Sequence, residues 1–178
     1  TTIMQILFSK TNDKKLFITF EDQEILNLFE NNIKSFIETY IKNYDYVFID
    51  EFQYSKKGGQ KLKFIYDTQK TKIIISGSSN PELSIQSLSY LVGRVLIFEV
   101  YPLNFGEFIN YKDPKLYAQY INSKINESNI FLFITYFNEF IKYGGYPGVV
   151  TSDNKEFILK NLLNTYLLNE VKDILSYK

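Results

Sequence analysis

The sequence predicts an α/β fold: a parallel sheet flanked by helices, followed by a helical region. Three observations lead there. Short continuous apolar runs alternate with stretches of helical periodicity in the first half of the chain, the pattern of βαβ units around a parallel sheet. Two of those runs end in chemistry-bearing residues, Asp50-Glu51 and Ser76-Gly77-Ser78-Ser79. After Pro102 the strand-like runs cease and helical spacing takes over.

Taken in order, Thr1 to Lys10 carries apolar residues at Ile3, Ile6 and Leu7, a helical spacing. Leu16 to Phe20 reads as a strand ending in Glu21 and Asp22. Gln23 to Lys42 reads as one long amphipathic helix, with Ile25, Leu28, Phe29, Ile33, Phe36, Ile37, Tyr40 and Ile41 on its apolar face. Tyr46 to Ile49 is a second strand. Tyr54 to Gln60, with Lys56-Lys57-Gly58-Gly59, reads as a mobile loop, and Lys61 to Gln69 as a short helix. Lys72 to Ser76 is a third strand. Pro81 suits the first turn of a helix capped by Ser79 or Asn80 and running to about Leu91. Gly93-Arg94 closes it, and Val95 to Phe98 reads as a fourth strand. Phe105–Tyr111, Leu116–Ile125, Phe131–Tyr143 and Phe157–Leu175 read as helices, with a sharp break at Gly144-Gly145-Tyr146-Pro147-Gly148. The expected organisation is a sheet domain over residues 1–103 and a helical region over residues 104–178.

Composition removes several chemistries. The 178 residues contain no cysteine and no histidine. Disulfides, thiolate catalysis, imidazole bases, Ser-His-Asp triads and Cys/His metal sites are therefore excluded within this sequence. Catalysis has to run on carboxylates, Lys, Arg, hydroxyls or backbone groups. Formal charge is zero, so net charge gives no support to nucleic-acid binding. No apolar run approaches the ~20 residues needed to span a bilayer, and the expectation is a cytoplasmic protein without a membrane partner.

The run Tyr46-Val47-Phe48-Ile49-Asp50-Glu51 is the most informative stretch. A continuous apolar run suits a strand buried on both faces. Two acids where it ends stand at the carboxyl edge of the sheet, where open α/β folds bind ligands. A solvated acidic turn is the plainer alternative.

The motifs line up in an order that resembles the AAA-like P-loop ATPases of bacteria and archaea. They are Phe48-Ile49-Asp50-Glu51-Phe52-Gln53, Ser76-Gly77-Ser78-Ser79, Gly93-Arg94, Tyr101-Pro102-Leu103-Asn104-Phe105-Gly106-Glu107-Phe108, Gly144 to Gly148, and the Tyr-Leu-Leu-Asn-Glu-Val segment from Tyr166. The resemblance implies a P-loop NTPase-like sheet followed by a helical, winged-helix-like region leading into a further C-terminal domain. It implies ATP and Mg²⁺ as cofactors. Asp50 and Thr1 would hold the metal, and Glu51 would orient and activate water. Ser76 would act as a sensor, Thr1, Thr2, Gln53 and Ser78 would contact the nucleotide, and Arg94 would serve as a sensor in cis or an arginine finger in trans, the latter in a homo-oligomer. Arg94 is the only arginine, which favours a geometric role for it.

One departure matters. The family carries a phosphate-binding loop, G-x-x-x-x-G-K-[ST], and nothing in this sequence matches it. The opening Thr1-Thr2-Ile3-Met4 looks like the residues just after the missing lysine, and the expectation is a chain that starts inside that loop and stops short of the C-terminal domain. Two other readings stay open: a non-catalytic regulatory or nucleic-acid-binding module, and a metal-dependent nuclease using Glu21, Asp50 and Glu51. Helix capping remains the alternative for Ser79 and Asn80, a helix C-terminal cation for Arg94, and a solvated loop for Lys56, Lys57, Lys61 and Lys63.

Overall fold

A computed structural model describes residues 1–56, 58–77 and 89–176. Two compact units result, Thr1–Ile97 and Phe98–Lys178.

The first unit is built on a parallel three-stranded sheet in the order β1-β2-β3. The strands are β1 (Lys15–Thr19), β2 (Tyr46–Asp50) and β3 (Lys72–Ile75). Phe17 is in register with Phe48, and Phe48 with Ile74. The middle strand β2 buries Val47, Phe48 and Ile49 completely or nearly so, as expected of a strand covered on both faces. Helix α1 (Thr2–Lys10) meets the sheet through Phe8, whose ring stands edge-on to Phe17 and Phe48. Helix α2 (Gln23–Asn31) starts where the Asp22 carboxylate accepts hydrogen bonds from the N–H groups of Glu24 and Ile25, satisfying donors that a helix start leaves unpaired. Phe20, Phe29 and Phe36 form the fully buried aromatic part of this core.

Three expectations need correction. The long helix over Gln23–Lys42 is broken at Asn32, which leaves helical geometry and caps a second helix, α3 (Ile33–Phe36), through the Ser35 N–H. A side-chain amide that competes with backbone donors favours such a boundary over a helix interior. The chain then continues as a π-helical turn over Ile37–Ile41. Second, Gly58 and Gly59 are not in a loop. They are buried in the first turn of α4 (Gly58–Thr68), and a Cβ on Gly58 would collide with the Phe52 ring. Third, Val95–Phe98 forms no strand. Val95 packs against the core, but Leu96, Ile97 and Phe98 are exposed, and no ladder pairs them among the described residues. An apolar run becomes a strand only where a sheet edge accepts its hydrogen bonds. The helix expected from Pro81, its capping residues Ser79 and Asn80, Ser78 and Lys57 all lie outside the described residues.

The second unit is helical throughout its described secondary structure: α5 (Phe105–Lys112), α6 (Pro114–Ile121), α7 (Ile130–Tyr143), α8 (Pro147–Val150) and α9 (Lys155–Ser176). Asn104 and Glu107 form a reciprocal capping box at the start of α5. Asp113 caps α6, with Pro114 in its first turn. Phe105 is the hub of the core, with ring contacts to Phe108, Tyr120, Phe133, Phe137 and Phe140. Glu139 on α7 is paired with Lys112 at 3.0 Å and Lys155 at 3.7 Å. Among the described residues no helix is long and apolar enough to cross a membrane.

Two of the sequence motifs find a structural reason here. Leu103 donates its N–H to the Gly145 carbonyl at 2.8 Å. Gly144 ends α7 at φ 71°, a conformation that favours glycine. A Cβ on Gly145 would collide with the Leu103 carbonyl, so the Pro102-Leu103 segment and the Gly144–Gly148 break clip onto each other backbone to backbone. Gly145→Ala is therefore expected to cost at least about 1–3 kcal/mol through overpacking. Gly148→Ala, where a Cβ meets nothing within 4 Å, is expected to leave stability unchanged or raise it by up to about 1 kcal/mol. Urea unfolding followed by circular dichroism checks both; equal effects would contradict the clip.

Candidate functional site

The carboxyl end of β2 is held from both sides. Phe20 N–H donates to the Asp50 carbonyl at 3.0 Å, on the β1 side. On the β3 side, Ser76 N–H donates to the Ile49 carbonyl at 3.0 Å, and Phe52 N–H donates to the Ser76 carbonyl at 2.9 Å. The ladder thus continues past the last residue of β3 and grips the turn that follows the two acids.

Asp50 itself is buried, 5% exposed. The Ser76 hydroxyl donates to its Oδ1, and the Thr1 hydroxyl is a second hydrogen-bonding partner. Burial acts to raise the Asp50 pKa. The hydrogen bonds from Ser76, Thr1 and the Glu51 N–H act against burial, and the carboxyl lies below the usual carboxylate value. Asp50 is accordingly an anion surrounded by oxygen and nitrogen donors.

Glu51 adopts a left-handed backbone, φ 54° and ψ 42°. That conformation costs a non-glycine residue of the order of 1 kcal/mol. It is maintained by the neighbouring bonds of Phe52, together with Tyr54 N–H donating to the Glu51 carbonyl at 3.2 Å. A 3₁₀ turn, Phe52–Tyr54, follows at once. In it the Gln53 side-chain amide donates to Glu51 Oε2. Phe52 is inserted among Phe20 and Phe29, with ring centroids 5.5 and 6.0 Å away.

Behind the turn lies a cluster that sequence reasoning missed. Ser55 is buried and its hydroxyl donates to Glu30 Oε1. Lys61 Nζ bonds the Glu30 carbonyl at 2.8 Å and pairs with its carboxylate. Lys61 thus ties α4 to α2 instead of lying in a solvated loop. No signal in the sequence joins these positions, because each is an ordinary polar residue at its own place in the chain.

The sites expected from sequence divide into two groups. Thr1, Asp50, Glu51, Gln53 and Ser76 come together at the carboxyl edge of the sheet. Thr2 is the exposed first residue of α1. Ser78 is not among the described residues. Arg94 lies elsewhere: its Nε donates to Asp67 Oδ1 at 3.1 Å and its guanidinium stands 5.9 Å from the Tyr66 ring centroid. Asp67 is in the last turn of α4, which returns to the opposite edge of the sheet, where Lys72 is in register with Tyr46. Arg94 therefore does not join the acids of its own chain.

Among the described residues no three or more acidic side chains converge as a metal cage, and Glu21, Asp50 and Glu51 do not assemble the trio a nuclease reading requires. The donors around Asp50 are carboxylate and hydroxyl oxygens. That set fits a hard cation such as Mg²⁺, which keeps waters and takes further oxygens from phosphates.

A family model described as an AAA domain matches residues 1–109. An uncharacterized protein of Methanocaldococcus jannaschii is 32% identical over 167 residues, covering 93% of this chain and 36% of that protein. An uncharacterized protein of Haemophilus influenzae is 29% identical over 128 residues, covering 71% of this chain and 29% of that protein. The chain thus spans about a third of the length of these curated relatives. No solved structure matches.

The geometry of the acids makes two substitutions act in opposite directions. Glu51→Gly relieves the left-handed strain and is expected to raise stability by about 0.5–1 kcal/mol. Ser76→Ala takes a donor from a buried carboxylate and is expected to lower it by about 1–3 kcal/mol. Denaturant titration of both variants measures this. A Glu51→Gly variant less stable than wild type by more than about 1 kcal/mol would contradict the strain at this position.

Proposed function

Because the chain belongs to the AAA domain family, we propose that it provides the metal-holding and water-activating acids of a domain that binds and hydrolyses ATP. The observation that carries this reading is the acidic turn at the carboxyl edge of β2. A buried, ionised Asp50 bonded to Ser76 and Thr1 stands next to a Glu51 held in a strained, pinned conformation. Open parallel sheets bind ligands at that edge. Strain retained at one residue fits a functional constraint better than a solvated turn, which would relax it.

Each side chain then has a distinct task. Asp50 and Thr1 would hold Mg²⁺, directly or through water. The cation, when bound, neutralises charge on the β- and γ-phosphate oxygens. Ser76 fixes the Asp50 carboxylate and keeps its own hydroxyl at the sheet edge, where a phosphate oxygen or water can meet it. Glu51 would orient water for attack on the γ-phosphorus and accept its proton as the new P–O bond forms and the bond to the oxygen that leaves on ADP breaks. Thr2 and Ser78 are the further polar groups assigned to the phosphates. Phosphoryl transfer needs little covalent work from the protein, so positioning and charge carry the catalysis.

Arg94 serves this reading as a residue offered to a second copy. Its attachment to Asp67 at the far edge of the sheet supports an action in trans over an action in cis. A guanidinium at the transferring phosphoryl group stabilises charge that develops in the transition state.

Measured in the full gene product, Glu51→Gln is expected to keep ATP binding and lose turnover by about 100-fold or more. Asp50→Asn is expected to weaken Mg²⁺-dependent ATP binding instead. Titration calorimetry and a phosphate-release assay separate the two effects, and wild-type turnover in both variants would remove the assignment of the acids.

For Arg94, mixing Arg94→Ala with Glu51→Gln is expected to restore part of the activity that each lacks alone, since one copy lends the guanidinium and the other the carboxylate. Arg94→Lys is expected to fail nearly as badly as Arg94→Ala, because an ammonium lacks the planar fork. Wild-type turnover in Arg94→Lys would return this residue to a role at the end of its helix.

A further inference from the structure

Gln53 lies two residues beyond Glu51 and its side-chain Nε2 donates to Glu51 Oε2. The amide thus presents its NH₂ group to the carboxyl oxygen. The amide oxygen is thereby committed to the other side, where Gly77 lies. A Cβ on Gly77 would stand 2.7 Å from Gln53 Oε1 and 3.5 Å from the Gln53 backbone nitrogen. A side chain at position 77 would displace the amide. The turn cannot retreat to make room, because Phe52 N–H is bonded to the Ser76 carbonyl and the Phe52 ring is packed between Phe20 and Phe29.

From this arrangement we infer that Gln53 is a positioning residue that acts on the reaction through Glu51, and that Gly77 is the residue that lets it do so. The amide occupies Oε2 of Glu51 and fixes the plane of the carboxylate, so that Oε1 takes the water. The exit of β3, the Gln53 amide and the Glu51 carboxylate form one mechanical chain from sheet edge to base. Gln53 touches neither phosphate nor metal in this role. The inference rests on the reading of Glu51 as the group that activates water.

Two measurements test it, and only one depends on hydrolysis. In ¹⁵N-edited NMR of the 178-residue chain, Glu51→Ala and Gly77→Ala are each expected to move the side-chain amide resonances of Gln53. Resonances that stay in place in both variants would overturn the proposal, whether or not the protein is an ATPase. In the full gene product, Gln53→Ala is expected to lower kcat by about 10- to 100-fold, the scale of losing a well-oriented group, with KM for ATP within about twofold of wild type. Gln53→Glu keeps the shape but removes the donor, and is expected to fail equally. In a Glu51→Gln background, Gln53→Ala is expected to cause no further loss. A raised KM with kcat preserved, or an undiminished loss in that background, would overturn the proposal. A wild-type gene product that does not hydrolyse ATP would instead remove the function proposed for the acids, with the NMR comparison still deciding the contact.

Discussion

Ser76 joins the end of β3 to the acidic end of β2 by three bonds. Its N–H reaches the Ile49 carbonyl, its carbonyl receives the Phe52 N–H, and its hydroxyl donates to the Asp50 carboxylate. The residues on either side of the acids are thus held by one serine across the sheet. With Ile49 and Phe52 fixed, the two residues between them have little conformational room. Asp50 completes the strand and is buried against its donor. Glu51 absorbs the change in direction and takes a left-handed backbone. The rest of the turn depends on this: Phe52 enters the core, Gly58 leaves room for its ring, and Gln53 lies along Gly77 with its amide on Glu51.

The parallel topology converts that local constraint into a site. Because β1, β2 and β3 run the same way, their carboxyl ends share one edge, and Thr1 at the start of α1 reaches the same edge. The helix after the acids must return to the opposite edge before β3 can begin. It carries Asp67 there, and Asp67 carries Arg94. The separation of the acids from Arg94 within one chain is a consequence of strand direction, and the proposal that the arginine acts in trans rests on it. The Ser55–Glu30–Lys61 cluster braces the turn from behind by linking α2 to α4. Its charges are satisfied within the cluster, which is how partly buried ions avoid a large desolvation penalty.

The legible parts of this chain were those with a period or a chemical terminus. β2 and β3 are continuous apolar runs ending in acids or in Ser-Gly, and both the strands and their edge could be read directly. The helix starts at Gln23 and Phe105 followed from the apolar period, whereas the cap at Asp113 begins its helix at Pro114, two residues before the expected Leu116. What could not be read depends on contacts between distant positions. Gly58-Gly59 beside two lysines has the composition of a loop, and only the Phe52 ring explains why glycine stands at 58 inside a buried helical turn. Val95–Phe98 has the composition of a strand, and only the lack of a ladder makes it something else. Asn32 interrupts a helical period that continues on either side of it, and its own side-chain bond to Ser35 decides the break. Within the site, the two acids were readable, whereas the hold of Gln53 on Glu51 needs a left-handed turn that no local pattern announces. The place of Arg94 beside Asp67 at the far edge follows from the path of α4, which no local pattern announces.

The central claim is that the Asp50-Glu51 turn is where Mg²⁺ and the γ-phosphate of ATP meet the protein. A crystal structure of the full gene product with ADP, Mg²⁺ and a fluoride analogue of the transferring phosphoryl group tests it most directly. The account predicts the metal at Asp50, at about 2.1 Å if bound directly or through one water, and a Glu51 carboxylate oxygen within about 3 Å of the attacking water. A nucleotide bound at the opposite edge of the sheet, with no metal at Asp50, would contradict it.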